Sequence, residues 1–432
     1  MGMGNGMSDY KEISTTLHPC DTGKVHSLSP EETQNLITVF AEECNMLYPI
    51  VDVSVLREQL DTRTTKLALA IALAMEADSL THGEGKAATG QKIFALIWPT
   101  IMTETESSLA LAIDLTLSAV YYFHVGDENM AYRMVGNAVR VAFELGLHKG
   151  AVEGATDVWW NIYILDKRFS FGVGRPSAVK ESDIDTVLPQ NSYLLAMRDY
   201  CKHATEVWDL VTDPNTSEEA MLKLEKDIQN FEVNLAPHLK WLGDKDSGPR
   251  AKQKQRLLLF LRIGQLRILL HKNLLSSTIA IVENELVART IVGVAQTVIR
   301  TLDYTYHSTE LYNRCQLHCN HFLLSALSML FCAVVHAPAI FSASCSEDFL
   351  TAIRLIRKLA QESAVSRRLW WFVKDLRYIG PQLGLVPTEE SEPLSPDSKA
   401  LAELSQLYDD AEEVHQALDH TSFDNVFNIW RM

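Results

Sequence analysis

Apolar residues recur every three or four positions along most of the chain, and this period constrains the fold more than any other feature. The segments TTKLALAIALAMEA (64–77) and SSLALAIDLTLSAVYYF (107–123) are apolar on nearly every side, which predicts helices buried over most of their surface. Further helical periodicity covers 157–170, 192–211, 217–233, 250–275, 284–303, 309–336, 347–362, 366–379 and 398–418. No run of β-branched residues lies between hairpin turn signals. The sequence therefore predicts an all-α fold, a compact bundle of about a dozen helices.

Short local signals mark the helix ends. Ser29-Pro30-Glu31-Glu32 is a capping box with proline at the first helical position, and it predicts a helix that continues to about Leu47. Asp127 is expected to cap a later helix, which Gly146 ends in a left-handed conformation.

Composition divides the chain into four parts. The composition of residues 1–26 predicts a flexible tail, and the helical periodicity of 27–383 predicts a helical domain. Three prolines and three glutamates in 384–397 predict a linker before a final acidic helical segment, 398–432. Residues 235–253 mix proline, glycine and charge, which predicts a surface loop at which the bundle divides into two lobes.

The charge balance excludes one class of partner. The chain has 39 Lys and Arg against 55 Asp and Glu, a net charge of −16, so its surface repels nucleic-acid phosphate. The basic residues of 250–272 are predicted to form the solvated face of one apolar helix. We therefore expect no direct nucleic-acid binding by this chain.

The cysteines and histidines predict neither disulfides nor a metal. Seven cysteines are scattered without a Cys-x-x-Cys pair, as expected in a reducing nucleus or cytoplasm. CQLHCNH (315–321) has helical metal-ligand spacing, but a zinc site needs a second ligand pair, and none is apparent. We expect no metal and no cofactor.

One run is long enough to cross a membrane. FLLSALSMLFCAVVHAPAIF (322–341) contains two serines, a histidine and a proline, and no flanking Lys or Arg anchors it, which favours a buried core helix. The N-terminus shows no apolar signal region, so we expect neither secretion nor a membrane span.

Two glycine-rich stretches resemble nucleotide loops and fail on detail. GEGKAATGQK (83–92) lacks the Gly-Lys-Ser/Thr ending of a phosphate loop, so its glycines are interpreted as a turn between helices. In GVGRP (172–176) proline blocks the helix that a dinucleotide fingerprint needs, and no strand precedes it.

Three segments occur together in a recognisable order. AYRMVGNAVRVAFELGLHKG (131–150) is followed by WWNIYILDKRFSFGVGRP (159–176) and KESDIDTVLP (180–189), and LYPIVDVSVL (47–56) stands upstream. Over roughly 35–190 the chain resembles the regulatory, or middle homology, domain of fungal zinc-cluster transcription factors. That resemblance implies a helical regulatory domain similar to a ligand-gated module.

The shared motif is interpreted as architecture. Gly146 lets the chain turn, Trp159 and Trp160 face different neighbours, and Gly174 gives a tight corner that a proline stiffens. Asp166 and Arg175 are predicted to form a buried ion pair across this corner. The full set of motif residues is Gly146, His148, Trp159, Trp160, Asp166, Gly174, Arg175 and Pro176.

The sequence departs from the family in one respect. DNA-binding members carry six cysteines in a two-zinc cluster near the N-terminus, whereas only Cys20 occurs here before residue 43. The family's DNA-binding step is therefore not carried over to this chain.

Three functions remain open. The first is a nuclear or cytoplasmic regulator without its own DNA-binding module, which senses a small metabolite or binds regulatory partners. The second is a cofactor-free cyclase or isomerase of fungal secondary metabolism that uses an apolar helical pocket. The third is a scaffold subunit of a nuclear assembly. Polar candidates for a pocket are Asp114, His148, Tyr304 and His307.

Overall fold

The computed structural model describes residues 28–78, 83–213 and 215–373. The described residues form helices and turns with no strand, which confirms the all-α prediction. The predicted tail (1–26), linker (384–397) and acidic segment (398–432) lie outside the described residues. The helices are α1 Pro30–Phe40, α2 Val53–Glu58, α3 Arg63–Asp78, α4 Glu84–Met102, α5 Leu109–His124, α6 Glu128–Glu144, α7 Thr156–Gly172, α8 Ser192–Thr212, α9 Glu218–Asn234, α10 Arg250–Leu270, α11 Thr278–Glu283, α12 Glu285–Ser308, α13 Leu311–Arg314, α14 Gln316–His336, α15 Pro338–Glu362 and α16 Ala364–Val373.

The chain forms two compact units, and each is discontinuous in sequence. Within the described residues, the first unit comprises 28–209, 222–263 and 310–317, and the second comprises the remainder up to 373. The loop 235–253 lies wholly inside the first unit, so the predicted division at that loop is wrong. Helix α10 continues from one unit into the other without a break, which is why no composition change marks the boundary.

The core of the first unit is a sequential stack of helices. Helix α3 packs against α4 and α5, α5 packs against α6, and α6 packs against α7. Helices α3 and α5 are buried on nearly every side, as their all-round apolar sequences predict. This stack places the α6–α7 connection, where the family-like motif lies, against the core.

The predicted helix starts are confirmed at atomic detail. The Ser29 hydroxyl accepts from the main-chain N–H of Glu32 at 3.1 Å, and the Glu32 carboxylate accepts from the N–H of Ser29 at 2.7 Å. The Asp127 carboxylate accepts from the N–H of Met130 at 2.9 Å. Helix α1 ends earlier than predicted, because a π-helical turn, Ala41–Asn45, replaces its last turns.

The interpretation of 83–92 as a turn is wrong for residues 84–92, which are the first part of α4, whereas Gly83 caps this helix. The contacts around Gly90 explain why a glycine lies within this helix. A Cβ at this position would lie 3.2 Å from the carbonyl oxygen of Ala70 and 3.2 Å from the Cβ of Leu73, both on α3. The missing side chain thus permits close packing of α4 on α3.

In the second unit, α12 packs against α15, and α15 packs against α16. The apolar run 322–341 is divided between α14 and α15, because Pro338 begins a new helix after His336. Helix α14 is long and apolar enough to cross a membrane, with a mean hydropathy of 1.6, and 72% of its apolar window is buried inside the protein. Such burial is typical of the core helix of a globular protein.

A matched pair of glycine substitutions tests the α3–α4 packing. We expect Gly90→Ala to lower the free energy of unfolding by about 1 kcal/mol, because the added methyl group overpacks against the α3 main chain. In the control, Gly136→Ala in α6, the new Cβ meets only Arg140 Nη1 at 3.7 Å, so we expect a gain of about 0.5–1 kcal/mol. Urea unfolding measures both changes, and equal gains would contradict the close approach.

Candidate functional site

The α6–α7 connection turns at a left-handed glycine, as predicted. Gly146 has φ +71°, and a Cβ there would lie 2.9 Å from the Cβ of Ala151. The N–H of Ala151 donates to the carbonyl of Gly146 at 3.1 Å, which closes the turn. Leu147 follows and is buried. This turn delivers the chain to the start of α7.

The two tryptophans of α7 serve different neighbours. Trp159 is fully buried, with its ring 5.9 Å from the ring of Phe143 and 5.9 Å from that of His148, measured between centroids. Trp160 instead donates from Nε1 to the carbonyl of Val187 at 2.9 Å. The pair therefore fixes α7 both to the preceding turn and to the loop that follows the corner.

The predicted ion pair between Asp166 and Arg175 is not formed. Asp166 is buried, and its Oδ2 accepts from the main-chain N–H groups of Ala178 at 3.0 Å and Val179 at 3.2 Å. Burial raises the pKa of Asp166, although these two N–H groups act in the opposite direction. Arg175 is exposed, and its guanidinium lies over the ring of Tyr132 at 5.5 Å.

Main-chain geometry explains this correction. Gly174 adopts φ +64°, and the turn places the next residue outside the corner. The cation that does cross the corner is Lys167, whose Nζ donates to the hydroxyl of Ser177 at 2.9 Å and to the carbonyl of Val179 at 2.8 Å. The carbonyl of Pro176 accepts from the Tyr132 hydroxyl at 3.1 Å. Asp166 and Lys167 together hold the corner through its backbone.

Two of the four predicted pocket residues belong to the first unit. Asp114 has no exposed surface, and it accepts from the Thr64 hydroxyl at 2.6 Å, while Arg63 Nε lies 3.0 Å from its Oδ2. Burial raises the pKa of Asp114 to about 6, because the Thr64 and Arg63 contacts only partly offset desolvation. His148 packs its ring edge-on against Phe143, and burial lowers its pKa.

The other two pocket residues belong to the second unit. Tyr304 and His307 lie on α12, where Tyr304 is half-buried. His307 is exposed, and its Nε2 lies 3.4 Å from an oxygen of Asp303. The candidates are therefore divided between two units rather than grouped within one.

The most unusual electrostatic feature of the first unit was missed by sequence reasoning. The buried lysines and arginines of its described residues form ion pairs with carboxylates, with one exception. The pairs are Arg63–Asp114, Lys66–Asp61, Lys167–Glu181, Lys254–Glu43 and Arg256–Asp246. The exception is Arg262, which is only 2% exposed.

Among the described residues, Arg262 contacts a phenol hydroxyl and a thioether sulfur. Its Nη1 donates to the hydroxyl of Tyr193 at 2.8 Å and lies 3.1 Å from the sulfur of Met197. Its Nη2 is buried and has no hydrogen-bond partner among the described residues. A charged donor is therefore left unsatisfied inside the first unit.

A second arginine lies near Arg262. Arg168, on α7, is half-buried, and its guanidinium lies 5.4 Å from the ring centroid of Tyr48 and 5.9 Å from that of Phe123. Burial and, to a smaller extent, the positive charge of Arg262 lower the pKa of Arg168 to about 9. We call Arg168 and Arg262 the arginine pair.

The prediction of a solvated basic face on 250–272 is wrong. Lys254, Arg256 and Arg262 are all buried, and carboxylates neutralise the first two. One signal was present: at about 100° per residue, the basic positions of this helix fall on all of its sides, so they cannot share one solvated face. Their acidic partners, however, could not be found from helical spacing.

The described residues contain no group of three or more His, Cys, Asp or Glu side chains placed to hold a metal ion. In the CQLHCNH segment, Cys315 Sγ instead donates to the carbonyl of Leu311 at 2.8 Å.

Comparison with known proteins identifies the region that contains the corner. Residues 37–207 match the fungal specific transcription factor domain. This part of the chain is similar to such a domain. It includes Arg168 and the motif from Gly146 to Pro176, whereas Arg262 lies beyond the matched residues.

Several curated relatives of the domain are fungal regulators. Transcription factor FBD3 of Gibberella moniliformis is 24% identical over 321 residues, which cover 62% of this chain and 43% of the relative. The pyrrolocin cluster transcription factor fsdR of Fungal sp. is 29% identical over 192 residues, 35% of this chain and 25% of the relative. An uncharacterized transcriptional regulatory protein of Schizosaccharomyces pombe is 37% identical over 82 residues, 17% of this chain and 11% of the relative.

The chain thus spans less than half the length of each of these relatives. No solved structure is significantly similar to it.

The revised corner predicts unequal effects of two substitutions. We expect Asp166→Ala to lower the free energy of unfolding by about 1–3 kcal/mol, because it leaves the N–H groups of Ala178 and Val179 without their acceptor. Arg175→Ala removes only an exposed guanidinium–ring contact and should cost less than about 1 kcal/mol. Urea unfolding of both variants measures these changes. Equal and large losses of unfolding free energy would instead support the ion pair between Asp166 and Arg175.

Asp114 predicts a pH dependence of stability. Its pKa rises from 3.8 to about 6 on folding, so the folded chain binds more protons than the unfolded chain between these values. Stability contributed by this group is therefore present below pH 4 and lost as the pH rises to 6, by about 2–3 kcal/mol. The difference in unfolding free energy between wild type and Asp114→Asn should fall over this window. Parallel curves for the two proteins would contradict the raised pKa.

Proposed function

We propose that the chain is a transcriptional regulator whose helical domain responds to a small molecule. The observation that carries this proposal is the match of 37–207 to the fungal specific transcription factor domain, with curated relatives named as transcriptional regulators. These matches give the chain a regulator-like role. Response to a small molecule is the further step, and the buried polar groups of the first unit support it.

The interior of the first unit suits a responsive domain. Buried ion pairs join segments far apart in sequence, as between Glu43 and Lys254, so that a displacement of one segment would strain its contact with the other. Among the described residues of the same unit, no carboxylate forms an ion pair with either member of the arginine pair. A ligand that supplies the missing charge would favour one arrangement of these helices, which is the physical requirement for ligand control.

The relatives also suggest where such control acts. The name of fsdR assigns that protein to a pyrrolocin cluster. By analogy, we propose that the targets of this chain include genes of a biosynthetic cluster and that it acts in the nucleus.

The alternative of an enzyme has no specific observation in its favour. Asp114 is held by Arg63 and Thr64, and His148 packs among aromatic rings, while the other two candidates belong to the second unit. An enzymatic function remains a prediction from the sequence.

Deletion of the gene in its host, with tagged wild type as the complementing copy, tests the proposed function. We expect a defined set of transcripts to change on deletion and to return with the wild-type copy or with Gly136→Ala as a folded control. Chromatin immunoprecipitation of the tagged chain should enrich the promoters of those genes. An unchanged transcript profile, together with conversion of a metabolite by the purified chain, would overturn the regulator in favour of the enzyme.

A further inference from the structure

We propose that the arginine pair, Arg168 and Arg262, binds the carboxylate of a small organic acid with an apolar or aromatic body. This inference rests on the proposed function, in which the acid would be the signal that the domain senses. It assigns a ligand class and a binding site inside the first unit.

The first argument comes from the other buried cations of the unit. Lys254 and Arg256 each contact a carboxylate, and so does Arg63. Arg262 is buried as deeply as these residues and has none among the described residues. Removal of one partner from a buried ion pair is strongly destabilising, so an unpaired guanidinium in this position calls for an anion.

The second argument is the unused hydrogen-bonding capacity at the site. In the part of the chain that the structure describes, the buried Nη2 of Arg262 has no acceptor, and the buried hydroxyl of Tyr48 has no hydrogen-bond partner. Tyr48 lies under the guanidinium of Arg168. A guanidinium presents its donors in a planar fork that matches a carboxylate, so one acid group can satisfy donors that the protein leaves open.

The third argument is that two side chains near Arg168, Tyr200 and Cys201, stay neutral. Burial raises the pKa of the Tyr200 phenol and of the Cys201 thiol to about 12 each. Both groups are near enough to Arg168 to influence its charge. Because neither ionises near neutral pH, neither supplies a negative charge that would neutralise the pair, and a bound carboxylate would supply one.

The surroundings favour an organic acid over free phosphate. The rings of Tyr48 and Phe123 lie against Arg168, while Tyr193 and Met197 contact Arg262. These side chains offer apolar surface and phenol tips, which suit the body of an organic acid. A phosphate site is typically built from several main-chain N–H groups at a helix N-terminus, and both arginines lie within helices.

The placement of the pair links binding to the domain. Arg168 lies two positions after Asp166, which holds the α7 corner, and Arg262 lies on α10. A carboxylate between them would join α7 to α10 inside the first unit. It would also relieve the repulsion that lowers the pKa of Arg168.

Thermal unfolding of the purified chain with three probes tests the site. The probes are benzoate, its neutral analogue benzamide, and inorganic phosphate, each at millimolar concentration and constant ionic strength. For wild type we expect benzoate alone to raise Tm, by about 3 °C or more. In Arg262→Met we expect no benzoate response and a ligand-free Tm equal to or above that of wild type, because an unpaired buried charge is removed.

Two further variants guard against loss of folding and non-specific effects. Arg168→Gln retains Arg262 and should weaken the benzoate response. Arg175→Met replaces an exposed arginine of the same unit and should leave the benzoate response unchanged. The proposal is overturned if benzoate gives wild type no rise in Tm. It is also overturned if benzamide or phosphate acts as well as benzoate, or if Arg262→Met responds like wild type.

The test separates this inference from the proposed function. If benzoate binds at the arginine pair but gene deletion changes no transcripts, the binding site is supported and the proposed regulatory function is contradicted. If the Arg262→Met variant restores every transcript that deletion changes, and wild type binds no benzoate, the regulatory function is supported and the binding site is contradicted.

Discussion

Burial of positive charge is the constraint on which the first unit depends. Lysines and arginines of α3, α7 and α10 lie inside the helical stack, where an unpaired charge is costly. Lys254 reaches Glu43, which is far away in sequence, and Arg63 reaches Asp114 between α3 and α5. Each such pair fixes the register of two helices, because a shift of one turn would leave both charges without a partner.

The corner after α7 follows the same rule with main-chain partners. Asp166 is satisfied by two N–H groups, and Lys167 by a hydroxyl and a carbonyl of the same returning loop. Adjacent opposite charges thus hold one loop from inside the core. The loop in turn receives Trp160, so the shared family motif is a set of contacts that fix the path of the backbone between α7 and α8.

Local signals in the sequence predicted local structure well. The capping box at Ser29, the cap at Asp127 and the left-handed Gly146 depend on a few neighbouring residues, and each is found as expected. Two of the failures arose where the deciding contact forms only in the packed fold. Gly90 was assigned to a turn because its contact with Ala70 exists only once α4 packs on α3. The boundary between the units was missed for a similar reason, since continuous helices cross it.

The arginine pair shows how a functional candidate can escape motif analysis. Its two members stand 94 positions apart, at 168 and 262, and neither belongs to a recognised spacing. They are distinguished because no carboxylate of the described residues pairs with them. This is apparent only after the other buried cations described in the unit have been matched to their partners. Because Arg168 lies inside the matched domain and Arg262 lies beyond its end at residue 207, the site combines a position of the shared domain with one from outside it. Ligand choice in this chain would then depend on α10, whereas the corner that positions Arg168 serves the fold of the domain.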